Sequence, residues 1–270
     1  MRGTSRASLA AVEERFEPVL AAAGAQASDL GEQLFALVDA LDSSGSLRRV
    51  LGDPSIDGEA KAELVARLLS SADPRVVAVA QDAVRQRWSA DADLGDALER
   101  LGFSAVLARA ENDGTLAGVE DELFRLTRAL AGQREVRRTL FDAAFPGAAR
   151  ADLVDRILAG RASEVTAIIA RRAAFAPRGR RYVATLGRIA DLIAERRSRE
   201  VATVTSATEL SAPQRDRLAQ ILHQAYGRDV QLNVIVDPHV LGGLRIQVGA
   251  QVVDSTVLSR LADARRRLAG

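Results

Sequence analysis

Val236-Asp237-Pro238-His239-Val240-Leu241-Gly242-Gly243-Leu244-Arg245-Ile246-Gln247-Val248-Gly249 carries two alternating segments on either side of a proline and a glycine pair. Upstream, Val230, Leu232, Val234 and Val236 alternate with Gln231, Asn233 and Ile235; downstream, Leu244, Ile246 and Val248 alternate with Arg245 and Gln247. A period of two is the mark of a strand with one buried face. Pro238 and Gly242-Gly243 predict a corner between the strands, where a side chain would clash. The spacing predicts that these strands form an antiparallel hairpin.

Working outward, Glu200-Val201-Ala202-Thr203-Val204-Thr205-Ser206 is β-branched and alternating and predicts an earlier strand. Ser211-Ala212-Pro213-Gln214 fits a capping box, and a proline in the first turn removes no interior hydrogen bond. Leu218, Ile221, Leu222 and Ala225 are expected to form that helix's inner face, with Gly227 as its C-terminal cap. Downstream, Val252-Val253-Asp254-Ser255 leads into a final helix capped by Ser255 and carrying Val257, Leu258, Leu261, Ala264 and Leu268. The order is β-α-β-β-α, with a right-handed parallel first crossover.

Upstream of residue 200 the chain repeats itself. Leu34-Phe35 recurs as Leu123-Phe124, and Leu47-Arg48-Arg49-Val50-Leu51 as Val136-Arg137-Arg138-Thr139-Leu140, in each case 89 positions later. Ala60-Lys61-Ala62-Glu63-Leu64-Val65 recurs as Ala149-Arg150-Ala151-Asp152-Leu153-Val154 at the same offset. A match of this length is a duplicated supersecondary unit. Leu30, Leu34, Leu37 and Leu41, and Val119, Leu123, Leu126 and Leu130 in the second copy, draw one apolar stripe on a helix. Turn segments at residues 53–58 and 144–147 precede second helices over about 59–70 and 148–159, and third helices start at Pro74 and Ser163. Each copy reads as an antiparallel bundle. A helix at about 95–111 is expected to join them. A longer helix at about 181–198, with Tyr182, Leu186, Ile189, Leu192 and Ile193 on one face, leads to the last domain.

Composition limits the function. Hydrophobic residues make up 47% of the chain but aromatics only 4%, so the core is aliphatic and suits helices. Acidic and basic residues balance to a net charge of +1, which gives no general pull toward nucleic acid or anionic lipid. The absence of cysteine excludes disulfides and thiolate chemistry. No apolar run reaches the roughly 18–20 residues that span a bilayer, and the N-terminus lacks the apolar core of a secretory signal. The expectation is a chain that meets the membrane only through partners.

No motif for chemistry emerges. Gly242-Gly243 is not followed directly by a helix that could offer amides to a phosphate. Asp237 before Pro238 reads as a turn former, and Asp254 as a residue at a helix start, rather than as a paired acid and base. His223 and His239 have no partner at metal spacing and read as surface and turn residues. The groups Arg171-Arg172, Arg178-Arg180-Arg181, Arg196-Arg197-Arg199 and Arg265-Arg266-Arg267 lack interleaved aromatics. They read as solvated faces first and as contacts to an acidic partner helix second, not as a nucleic-acid surface. Trp88, the one tryptophan, reads as a bundle packing residue. No Gly-x-Ser-x-Gly or phosphate loop is present.

Val204-Thr205-Ser206-Ala207, Leu210-Ser211, Gln214, Asp237-Pro238, Gly242-Gly243, Gly249, Asp254, Ser255, Leu258 and Leu261 form an ordered series that resembles the C-terminal domain of ATP synthase delta subunits. These are the bacterial counterparts of the mitochondrial oligomycin sensitivity-conferring protein. Ala110-Glu111, Gly114 and Val119-Glu120-Asp121-Glu122-Leu123 are similar to the start of that family's helical domain. The resemblance covers about residues 100–270, and residues 1–100 are an added, diverged copy. It implies a mainly α protein with three parts: a first bundle over 1–100, a second over 101–199, and an α/β domain over 200–270. It further implies a non-catalytic stator subunit of a proton-translocating ATP synthase, without cofactor or metal. The bundles would hold alpha subunits of the catalytic head and residues 200–270 the b-type stalk subunit, at the cytoplasmic face of the plasma membrane. The alternative is a helical scaffold unrelated to ATP synthase. An enzyme would need a catalytic cluster that the sequence does not offer.

Overall fold

The computed structural model describes residues 3–142, 144–199, 201–226, 230–240, 242–248 and 251–254. The chain divides into two compact units, Met1–Ala190 and Asp191–Gly270.

The first unit is all helix. Helices α1 (Gly3–Ala23), α2 (Ala27–Ser43), α3 (Gly45–Gly52), α4 (Gly58–Leu68) and α5 (Pro74–Arg85) make the first copy. Helices α6 (Asp91–Asn112), α7 (Leu116–Ala131), α8 (Arg134–Phe141), α9 (Gly147–Leu158) and α10 (Glu164–Phe175) make the second, and α11 (Tyr182–Arg199) follows. The 89-residue offset carries α1 onto α6, α2 onto α7 and so on to α10, and then carries α6 onto α11. The duplication therefore extends upstream of residue 31, and α6 serves both copies. This double role is why α6 is buried along most of its length, including Leu94, Leu98, Leu101, Val106 and Leu107.

Four of these helices start where a side chain satisfies free amides. Ser44, Asp57, Asp73 and Ser163 each accept from the first turns of α3, α4, α5 and α10. The predicted stripes Leu30-Leu34-Leu37-Leu41 and Val119-Leu123-Leu126-Leu130 are buried. Trp88 packs in the first copy's core and donates its indole N–H to the Ala83 carbonyl, 2.9 Å away.

The second unit holds β1 (Val201–Ser206), α12 (Ala212–Tyr226), β2 (Gln231–Val236), β3 (Leu244–Val248) and β4 (Gln251–Asp254). The protein is thus mainly α with a small α/β part, as the sequence predicts. The sheet order is β2-β1-β3-β4. β1 and β2 are parallel, with Val204 opposite Val234. The expected β2–β3 hairpin is not formed: β1 lies between them, and β3 pairs antiparallel to β1 with Ile246 opposite Val204. The segment 237–243 crosses the end of β1, and the Asp237 amide donates to the Ser206 carbonyl at 2.9 Å. Crossing one strand spans about 10 Å, more than a tight hairpin turn covers. The hairpin that does exist joins β3 to β4, a strand the sequence reading did not separate from the helix predicted after it.

α12 covers one face of the sheet with Leu218 and Leu222, against Ala202, Val204, Val230 and Val248. Ile221 and Ala225, expected on that inner face, are exposed, because the two buried leucines one turn apart suffice to cover this narrow sheet. The capping box is present in its reciprocal half, where the Ser211 amide donates to Gln214 Oε1 at 2.9 Å. Gly227 and the predicted final helix from Ser255 lie outside the described residues.

Candidate interaction surfaces

The joint between the copies is built from two glycines. A Cβ on Gly31 of α2 would stand 2.6 Å from Val106 Cγ2 and 2.7 Å from the Gly102 carbonyl oxygen of α6. The helices touch backbone to backbone there. One turn further on, Phe35 meets Phe103 edge to face, with centroids 4.9 Å apart. The Arg172 guanidinium of α10 lies over the Phe35 ring at 4.7 Å, and its Nη1 donates to both Asp39 carboxylate oxygens at 2.7 and 2.8 Å. Then Arg178 and Gly179 adopt left-handed backbone (φ 49° and 74°), and this corner turns two more arginines inward. Arg178 pairs with Asp42 at 2.8 Å and Asp96 at 3.0 Å, and Arg180 donates to Glu99. Arg172, Arg178 and Arg180 are therefore neither a solvated face nor a partner site. Acidic residues of α2 and α6 consume them, a pairing that sequence order could not disclose.

The duplication also repeats two polar contacts. In copy one Gln33 Oε1 accepts from the Asp73 amide at 2.8 Å. In copy two Glu122, its counterpart, accepts from the Ser163 amide at 3.0 Å, the Ser163 hydroxyl at 2.7 Å and the Thr166 hydroxyl. Burial pushes the Glu122 carboxyl up, but the hydrogen bonds from Thr166 and Ser163, with help from Arg125, outweigh it and hold the pKa below its ordinary value. A depressed carboxyl contributes stability above its unfolded pKa of about 4.3 and loses it as pH falls through the folded value. Melting curves from pH 7 to pH 3 should therefore show wild type more stable than Glu122→Gln at neutral pH, with the gap closing in acid. A gap that stays constant with pH contradicts the assignment.

Likewise, Lys61 is buried and its ammonium donates to the Asp53 carbonyl at 3.1 Å. Its counterpart Arg150 donates to the Asp142 carbonyl at 2.9 Å, and reaches three more: Ala174 and Phe145 at 2.9 Å and Phe175 at 3.0 Å. Around this buried guanidinium Phe141, Phe145 and Phe175 are exposed. Phe124 on α7 is exposed as well. These phenylalanines in copy two, which sequence reasoning did not single out, are the open aromatic surface of the helical unit.

In the C-terminal unit, Asp237 Oδ1 accepts from the His239 amide at 2.9 Å and the Val240 amide donates to the Asp237 carbonyl. Asp237 is thus the turn former expected before Pro238. Gly242 and Gly243 have φ of 69° and 82°, a conformation costly for any other residue. His223 and His239 are exposed. Asp254 ends β4 opposite Arg245, and β1 and β3 lie between β4 and β2, the strand that Asp237 follows. Gly249, Ser255, Leu258 and Leu261 lie outside the described residues. Among the described residues no group of three or more His, Cys, Asp or Glu could hold a metal ion, and no helix is long and apolar enough to cross a membrane.

These features define a helical tandem joined to a small α/β unit. The family model "ATP synthase delta (OSCP) subunit" matches residues 104–268. A protein named ATP synthase subunit delta from Beutenbergia cavernae is 52% identical over the whole of both chains. Proteins of the same name from Kineococcus radiotolerans (47% identical, 99% of this chain and 98% of the relative) and Streptomyces coelicolor (43%, 100% and 98%) also match end to end. The chain belongs to the ATP synthase delta (OSCP) subunit family, the peripheral-stalk subunits of ATP synthase. Residues 1–103 lie outside the family match yet are covered by these relatives, so the long form is shared with them. The alternative of a scaffold unrelated to ATP synthase finds no support.

Proposed function

We propose that the chain is a non-catalytic bracket of a proton-driven ATP synthase on the cytoplasmic face of the plasma membrane. It divides its work among residues 1–100, 101–199 and 200–270. The helical copies hold alpha subunits of the catalytic head, and the C-terminal α/β part holds the b-type stalk subunit. The turn and glycine residues Asp237, Pro238, Gly242, Gly243, Gly249, Asp254 and Ser255, with Leu258 and Leu261, shape that second grip. The observation that carries this reading is the end-to-end match to delta subunits by a chain whose helical and α/β parts are separate compact units. A stator resists rotor torque, and close-packed helices clamped by buried ion pairs make the helical part stiff.

Capture of a tagged chain from membranes tests the division. Wild type should bring down both head and stalk subunits. Gly243→Val places a β-branched residue at φ 82°, which strains the crossing over β1 by roughly 1–3 kcal/mol. That variant should lose stalk subunits at least several-fold while keeping the head. Unchanged stalk capture, or loss of the head alone, contradicts the assignment.

A further inference from the structure

The charged cluster between the copies is not inherited from the duplication. Arg172, Arg178 and Arg180 correspond to Ala83, Ser89 and Asp91 in copy one, and Asp39 and Asp42 correspond to Arg128 and Ala131 in copy two. Copy one closes its apolar core with none of these arginines at the matching places. The cluster is therefore no requirement of the repeated bundle. Nor is it shaped for stability alone. Arg172 Nε and Nη2 and Arg180 Nε are buried without a partner among the described residues, and a buried charge with spare donors costs free energy. The backbone is strained as well. Arg178 holds φ 49°, a left-handed conformation that a non-glycine residue keeps only where its surroundings impose it. Its side chain is the tether, with Nε 2.8 Å from Asp42 of α2 and Nη1 3.0 Å from Asp96 of α6. Gly95 leaves the room for it: a Cβ there would meet Arg178 Nη2 at 2.7 Å.

The place of the cluster in the chain gives it a use. The chain passes from the first compact unit to the second within α11, so a pull on the α/β unit reaches the helical unit through the backbone of that helix. α11 begins at Tyr182, just after Arg180. Within copy two it is held by Tyr182, Leu186 and Ile189, which are buried, and by the bond from the Tyr182 hydroxyl to the Ala170 carbonyl at 3.2 Å. We propose that the arginines around the α10–α11 corner are an anchor that carries tension arriving along α11 across to α2 of copy one, so that both copies resist it. A helix pulled from one end peels turn by turn, because its apolar contacts break one at a time. At the corner the peeling meets charged contacts that must open together: Arg178 to Asp42 and Asp96, Arg180 to Glu99 and Arg172 to Asp39. Opening leaves buried guanidinium groups without their carboxylates, which makes that step slow. The inference rests on the stator reading for its use and goes beyond it in naming the path of the force.

The test is single-molecule force spectroscopy on the full chain. The sequence contains no cysteine, so Glu63→Cys on α4 and Arg217→Cys on α12, both exposed, give two unique handles. Stretching the wild type should free residues 182–217, about 12 nm of chain, and then pause at the corner before copy two opens. Asp39→Asn with Asp42→Asn removes the charges of α2 alone, at partly exposed positions, and should shorten the pause at least about tenfold at equal force. Asp42→Asn alone should shorten the same pause by a smaller factor, and it serves where the pair does not fold. Asp121→Asn, which breaks the exposed Arg125–Asp121 pair of α7, should leave the pause unchanged. No pause in the wild type, a pause untouched by the asparagine variants, or an equal shortening by Asp121→Asn overturns the proposal. So does a shortening of every later event in the same proportion, since the loss is then a general weakening. The isolated chain carries this test without head or stalk, so its failure leaves the stator reading standing. That reading fails separately, when the wild type captures neither head nor stalk subunits.

Discussion

Arg150→Ala should destabilise the helical unit by about 3–5 kcal/mol, the largest loss expected from any single truncation in it. The guanidinium is buried and donates to four backbone carbonyls, of Asp142, Phe145, Ala174 and Phe175. It ties the α8–α9 turn to the end of α10. Removing it leaves carbonyls without donors in a site too crowded for easy repair: a Cβ on neighbouring Gly147 would already meet the Phe175 oxygen at 2.6 Å. Copy one contains a natural comparison. Lys61 stands at the same place and makes the counterpart of one bond, to Asp53. Arg150→Lys should therefore recover the Asp142 contact and lose the others, giving an intermediate loss. Urea unfolding followed by Trp88 fluorescence and by circular dichroism reads this. Because both copies lie in one compact unit, the Trp88 transition in copy one should shift with the damage in copy two. A loss under about 1 kcal/mol contradicts the role given to Arg150.

The second large effect is Gly31→Val. A helix interior gains a few tenths of a kcal/mol, on the order of 0.3–0.5, when glycine becomes valine, so propensity alone predicts slight stabilisation. Packing predicts the reverse. The first added carbon falls 2.7 Å from the Gly102 carbonyl and 2.6 Å from Val106 Cγ2, and the carbonyl is part of a buried helix. It cannot step aside as a side chain end can. Overpacking costs about 1–3 kcal/mol or more, and two further methyl groups raise it, so the clash outweighs the propensity gain. The expected result is a net loss of about 2–3 kcal/mol with separation of α2 from α6. Gly102→Ala should follow the same direction, since its Cβ would lie 2.5 Å from Phe35 Cε1. A neutral or stabilising Gly31→Val contradicts the close backbone contact.

These two sites show where the sequence is legible and where it is not. The apolar stripes of α2 and α7 follow from spacing alone, because a 3.6-residue period has one solution on a helix. α1 escaped the reading. Its buried positions include Ser5 and Ser8 beside Leu9, Val12 and Phe16, and it carries Pro18 internally, so its apolar signal is weak. In the α/β unit, alternation reveals which side chains share a face but not which strands are neighbours. β2 and β3 follow each other in sequence yet flank β1 in space. The segment 237–243 was legible as a corner, and its glycines do adopt positive φ, but its span over β1 was not. The buried arginines were the least legible. Arg172 and Arg178 look like surface charges until folding brings Asp39, Asp42 and Asp96 to them. Asp39 and Asp42 lie in the other copy of the repeat and Asp96 on the α6 that both copies share, beyond the reach of local pattern.

Proton-driven ATP synthesis in membrane vesicles from cells lacking the chain tests the bracket role most directly. With nothing to hold the head against the rotor, synthesis should fall to background, and adding back the full-length chain should restore it. Synthesis that continues undiminished without the chain would contradict the role.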